Sequence, residues 1–121
     1  MKKLFILLFG TLIAIPMFAA ISNIEKDGVW YRLYDENGKQ YKSVSSSVMG
    51  GLKGYSASLV IFQDGAFFHV YDCDLKKLKS CAISTYGEVL SVSGDTFTTK
   101  LGNWIYTYDK NGKKLNSRVS N

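Results

Sequence analysis

His69 is the only histidine of this 121-residue sequence, and Cys73 and Cys81 are its only cysteines. Nucleophilic catalysis needs an activating base within hydrogen-bond reach of the nucleophile, and nothing near His69 supplies such a pair at a recognisable spacing. A closed zinc site needs four ligands, so two cysteines with one histidine fall short. There is no Walker loop, no Gly-x-Ser-x-Gly and no His-Glu-x-x-His. No strand-like run displays two carboxylates facing one way in a cleft-like context, as glycosidic chemistry would require. The sequence therefore reads as non-enzymatic, with neither a cofactor nor a metal site expected.

Binding chemistry is the better match. A large aromatic follows two residues after each of three glycines: Trp30 after Gly28, Phe67 after Gly65, Trp104 after Gly102. Alternation along a strand sets Trp30, Arg32 and Tyr34 on one face, and Phe67, His69 and Tyr71 on the same face of a second copy. Trp104, Tyr106 and Tyr108 follow in a third. Open to solvent, flat rings beside hydrogen-bonding groups would suit a sugar or a partner protein. Trp30, Arg32, Phe67, His69, Trp104 and Tyr106 are the candidate binding residues. The plainer expectation for large recurring aromatics is burial, with the three rings packed inward as core.

These residues belong to a repeat. The pairs Tyr34-Asp35, Tyr71-Asp72 and Tyr108-Asp109 lie 37 residues apart, and in the same spacing Lys39, Lys76 and Lys113 superpose, as do Ser43, Ser80 and Ser117. A period of this size means one supersecondary unit used again. The aromatic runs before each Tyr-Asp read as strands, and Asn37-Gly38 and Asn111-Gly112 read as tight hairpin turns. An aspartate at a strand end before a turn bonds the turn's own amides, so the Tyr-Asp pairs are expected to be turn chemistry and not a site. The recurring serines are expected to be structural for the same reason.

The second copy carries Asp74-Leu75 where its siblings carry Asn-Gly, so its turn is expected to be built differently. A disulfide between Cys73 and Cys81, closing a seven-residue loop from Asp74 to Ser80, would replace the lost turn signal. A sibling-like register would instead place Cys81 opposite Phe68, five residues along the strand from Cys73, roughly 17 Å away and beyond the ~7 Å Cα limit for a bridge.

After residue 27 every segment reads as strand or turn, with Met49 to Gly54 as the longest flexible loop. The expected fold is all-β: an antiparallel meander of about eight strands built from 37-residue repeats, closing as a small barrel or a strongly twisted sheet. A period of 37 is also close to one propeller blade, and a partial propeller completed by oligomerisation is the alternative.

Lys2 and Lys3 followed by the apolar run Leu4 to Phe18 and by Ala19-Ala20 read as a secretory signal peptide over residues 1–20, with cleavage after Ser22 as an alternative bond. Residues 21–121 then form a single β-repeat domain, periplasmic or secreted, with no membrane insertion after cleavage. Loss of Lys2 and Lys3 lowers the formal charge from +5 to +3, too small a balance to argue for nucleic acid. The lysines near the hairpin tips, Lys39, Lys42, Lys76, Lys77, Lys79, Lys110, Lys113 and Lys114, sit among aspartates and read as a solvated rim that discourages edge pairing.

The fragment Gly102 to Leu115, with Gly28 to Lys39 in the same pattern, resembles the tryptophan-containing β-hairpin units of bacterial WG-type and propeller-like repeat proteins. In this sequence Tyr31 or Ile105 follows the tryptophan, where the WG repeat has glycine. The resemblance implies an interaction or scaffold role and no shared catalytic residue. The functional expectation is a small exported binding module of the cell envelope, with a protein or glycan partner. The alternative is a periplasmic inhibitor or immunity protein against a cell-wall-degrading enzyme, with Met49 to Gly54 entering the cleft.

Overall fold

The computed structural model describes residues 20–120. All but the last residue of the expected signal peptide therefore lies outside the described residues. Eleven antiparallel strands follow in chain order, divided among three sheets. Sheet 1 holds β1 (Asn23–Asp27), β2 (Trp30–Tyr34) and β3 (Gln40–Ser45). Sheet 2 holds β4 (Gly51–Tyr55), β5 (Leu59–Asp64), β6 (Phe67–Asp72) and β7 (Lys77–Ala82). Sheet 3 holds β8 (Glu88–Ser93), β9 (Thr96–Leu101), β10 (Trp104–Asp109) and β11 (Lys114–Val119). Within each sheet, sequence neighbours are spatial neighbours, so the chain is an all-β antiparallel meander of 37-residue units. The strands do not close into a barrel; each unit makes its own sheet. The count exceeds the expected eight chiefly because the charged β1 and the glycine-containing β4 also pair.

One-turn helices α1 (Ser46–Met49) and α2 (Ile83–Tyr86) carry the chain from the last strand of one sheet to the first strand of the next. Each ends at a glycine, Gly50 or Gly87, with φ of +91° or +94°. These two positions are equivalent in the repeat, and a Cβ at either would collide with a backbone carbonyl of the adjoining strand, Gln63 or Lys100. The segment Met49 to Gly54 is consequently no flexible loop. It is the end of α1 and most of β4.

The sheets stack face to face across two apolar junctions. The first packs Tyr31 and Leu33 of sheet 1 against Val60, Phe62 and Tyr71 of sheet 2. The second packs Leu59, Ile61, Phe68, Val70 and Cys81 of sheet 2 against Val89, Phe97 and Tyr108 of sheet 3. Because sheet 2 is covered on both faces, β5 reads as an unbroken apolar run, Leu59-Val60-Ile61-Phe62, each residue buried. Burying one such side chain contributes about 1.5–3 kcal/mol.

The two end faces are different in kind. Where sheet 2 turns Val60 and Phe62 toward a neighbour, sheet 1 has Asn23 and Glu25, both exposed. Where sheet 2 has Leu59, Ile61, Val70 and Cys81 on its other face, sheet 3 has Thr96, Thr98, Thr107 and Arg118. The end faces also carry Trp30, Tyr34 and Ile105, but they are more polar than the junctions, as in the terminal units of a repeat stack.

All three β-turns that follow Tyr-Asp are built alike. Asp35 Oδ1 accepts from the amides of Asn37 and Lys39, Asp72 Oδ1 from those of Asp74 and Lys76, and Asp109 Oδ1 from those of Asn111 and Lys113. The expected aspartate role is thus observed. The expectation of a different second turn is corrected: Leu75 adopts φ of +65°, in the place of Gly38 at +76° and Gly112 at +85°. Left-handed backbone costs a residue with a Cβ about 1–2 kcal/mol. Leu75 offsets that cost by packing on the first apolar junction.

The expected Cys73–Cys81 bridge is corrected with it, since both cysteines are free. Strand β7 keeps the sibling register, which pairs Cys81 with Phe68. Cys81 lies in the second junction and Cys73 packs on the first, so sheet 2 stands between them.

Candidate functional site

The three recurring rings are not core. Trp30 is 45% exposed, Phe67 47% and Trp104 46%, against the expectation that they pack inward. Each begins the strand after a Gly turn and lies at the same end of its own sheet. The three sheets follow one another in the stack, so one such ring recurs per sheet at the equivalent strand position. Each ring is about half open to solvent, although Trp30 lies on the open end face of the stack and Phe67 and Trp104 lie on faces turned toward a preceding sheet.

The middle residues of the same face behave differently. Arg32 lies opposite Ser43, His69 opposite Ser80 and Tyr106 opposite Ser117, which accounts for the recurring serine. His69 Nδ1 and Ser80 Oγ are 2.8 Å apart, and burial, with Lys77 adding to it, lowers the imidazole below its ordinary pKa. Arg32 forms an exposed ion pair with Asp27 at 3.0 Å. Tyr106 stacks on Trp104, with ring planes 8° apart, and receives Lys114 Nζ 4.0 Å above its centroid. The faces bearing His69 and Tyr106 turn toward the preceding sheet, whereas the face bearing Arg32 is the open end of the stack. The six residues thus form one set per sheet, with the rings as the shared exposed element.

A second feature escaped the sequence reading. At the turn end of the second junction lies a cleft of about 240 Å³, lined by Ser58, Leu59, Asp72, Cys73, Asp74, Leu78, Asp95 and Lys110. Its rim is tied by Ser58, whose hydroxyl lies within hydrogen-bond distance of both Asp95 Oδ1, 2.6 Å, and the Gly94 carbonyl, 3.1 Å. Burial and the carboxylates of Asp74 and Asp72 push the Cys73 thiol above its ordinary pKa, so it is a poor nucleophile here.

The equivalent place in the first junction is filled. There Tyr41, the repeat counterpart of Leu78, reaches across and donates its hydroxyl to the Cys73 carbonyl at 2.7 Å. Aligning the units shows the exchange directly, tyrosine for leucine at one step and Ser58 for Asp95 at another. That misalignment was the available signal.

Among the described residues no group of three His, Cys, Asp or Glu is placed to hold a metal ion. None of their helices is long and apolar enough to cross a membrane. Compared with protein-family models and with curated proteins, the chain matches none.

Proposed function

We propose that this protein is an exported, non-enzymatic binding module whose row of aromatic rings engages an extended glycan of the cell envelope. The observation that carries the reading is the near-equal half exposure of Trp30, Phe67 and Trp104 at one position in three successive sheets. Similar platforms, one per sheet, complement a ligand that itself repeats, and a glycan chain offers one apolar sugar face after another. Hydrogen-bonding groups lie beside the rings in Arg32, His69 and Tyr106. The polar end faces support a single stack as the working unit. Strand β4 and helix α1 occupy Met49 to Gly54, so the segment offered for entering an enzyme's cleft in the inhibitor reading is not a flexible loop.

Sedimentation of the protein with insoluble peptidoglycan, chitin and cellulose tests the proposal. Binding to at least one polymer is expected, accompanied by a change in tryptophan fluorescence. Trp30→Ala, Phe67→Ala and Trp104→Ala should each weaken it by about tenfold, and the triple variant should abolish it. Folded protein that stays in the supernatant with all three polymers rules the glycan out. Retained binding by the triple variant rules out the row.

A further inference from the structure

We propose that the cleft between sheets 2 and 3 binds a small phenol bearing a cationic amine, in the place that the Tyr41 side chain fills one unit earlier. The aromatic row plays no part in this site, and the two readings stand or fall separately.

The 37-residue spacing superposes Tyr41 on Leu78, Cys73 on Lys110 and Ser58 on Asp95. At the first junction a phenol ring packs on the apolar core and its hydroxyl meets a turn carbonyl, that of Cys73. The turn that carries Lys110 is hydrogen-bonded like the turn that carries Cys73, with Asp109 in the role of Asp72. The Lys110 carbonyl therefore stands where the Cys73 carbonyl stands, while Leu78 is too short and too apolar to reach it. What remains is the 240 Å³ cleft. That volume falls just below the ~300–1,000 Å³ of pockets for drug-sized ligands, and suits a single ring with a short substituent.

The lining selects the substituent. Leu59 and Leu78 offer apolar walls to the ring, and the Lys110 carbonyl offers an acceptor to its hydroxyl. Asp72, Asp74 and Asp95 outnumber Lys110, the one cation on the wall among the described residues. Asp72 Oδ1 is held by turn amides and Asp95 Oδ1 by Ser58, which fixes both carboxylates in place before any ligand arrives. Asp95 stands where the first junction has a neutral serine, which adds a carboxylate on the sheet 3 side of the cleft. A neutral phenol would use the walls and the carbonyl alone. An ammonium on a short arm would use the carboxylates too.

The probe is p-hydroxyphenethylamine, titrated into the isotope-labelled full domain and followed by NMR. Saturable shifts are expected at Ser58, Asp74, Leu78, Asp95 and Lys110. Phenethylamine, which lacks the hydroxyl, and p-cresol, which lacks the amine, should each bind about tenfold more weakly. Leu78→Tyr should fill the cleft and abolish binding, whereas Trp30→Ala and Trp104→Ala should leave it unchanged. Absence of saturable shifts at these residues overturns the proposal, as does undiminished binding to folded Leu78→Tyr. Should that variant fail to fold, Asp95→Asn decides: it should weaken the amine and spare p-cresol, and equal affinity for the amine in both proteins overturns the assignment.

Discussion

Tyr41 in the outer strand of sheet 1 donates its hydroxyl to the backbone carbonyl of Cys73 at 2.7 Å, fastening sheet 1 to the β6–β7 turn of sheet 2. The bond is made between two units of the repeat, so it bears on how the sheets hold together and not on any one hairpin. Tyr41→Phe keeps the ring and removes the donor, leaving a partly buried carbonyl short of its partner. The expected loss is about 1 kcal/mol, read as a lower urea midpoint with an unchanged slope.

The same tyrosine makes stability sensitive to alkali. Burial first, then the neighbouring Cys73, Asp74, Asp35 and Asp72, push its phenol up to about 12. In the unfolded chain the phenol titrates near 10, so the folded state keeps a proton that the unfolded state has lost. The contribution is complete below pH ~10 and disappears as pH rises through about 12. Tyr71 and Tyr108 are raised as well and act in the same direction. Urea midpoints measured from pH 8 to 11 should fall at the alkaline end, and less steeply in Tyr41→Phe.

Gly87→Ala and Gly50→Ala should be the most damaging small substitutions in the chain. A methyl group at either site meets a strand carbonyl and also sits at strongly positive φ. Losses of about 3 kcal/mol or more are expected for each, by a combination of strain and displaced backbone. Thermal melts compared with Gly38→Ala make the distinction clear. At Gly38 a Cβ meets nothing within 4 Å, so only the backbone penalty of about 1–2 kcal/mol applies.

Leu75→Gly should change stability by less than Gly38→Ala does. Removing the side chain relieves the left-handed backbone at φ +65° but exposes apolar surface on the first junction. The two terms oppose each other, and a stability change of about 1 kcal/mol or less is expected. A large loss would mean that packing at this turn outweighs its strain.

Cys73 and Cys81 should react as two separate thiols. Burial raises both, Cys81 to about 11 with Lys79 pulling slightly the other way, and the thiolate is the reactive form. At pH 8 the native protein should be alkylated slowly at Cys73 and not at Cys81, which is 0% exposed. Denaturant should release both, and the mass of the unmodified protein should be the same with and without reductant.

The hairpins were legible because their signals are local: alternation, Asn-Gly and the aspartate before each turn act within a few residues. The second turn was misread because Asp72, not Asn-Gly, closes it, and a single oxygen bonding two amides tolerates Leu75. Strand β4 was hidden by Gly51 and Gly54, which read as loop. Gly54 is in fact a packing residue, since a Cβ there would lie 3.0 Å from Val92 Cγ2 of sheet 3. The exposure of Phe67 and Trp104 could not be read from alternation, because their faces turn toward a preceding sheet and the rings escape only at the strand ends, whereas Trp30 lies on the open end face. The cleft depends on two side chains 37 residues apart in sequence, Tyr41 and Leu78, being compared as counterparts. Residue types taken singly do not reveal it.

The contrast between the apolar middle and the polar ends makes the units unequal as building blocks. Sheet 2 alone offers apolar residues on both sides, so a duplicate of residues 46–82 inserted beside the original would find a matching surface on each flank and lengthen the array. The same duplicate attached outside sheet 1 or sheet 3 would meet Glu25 or Arg118 instead. Growth of such a protein would proceed from its centre, and a longer aromatic row would come with every added copy.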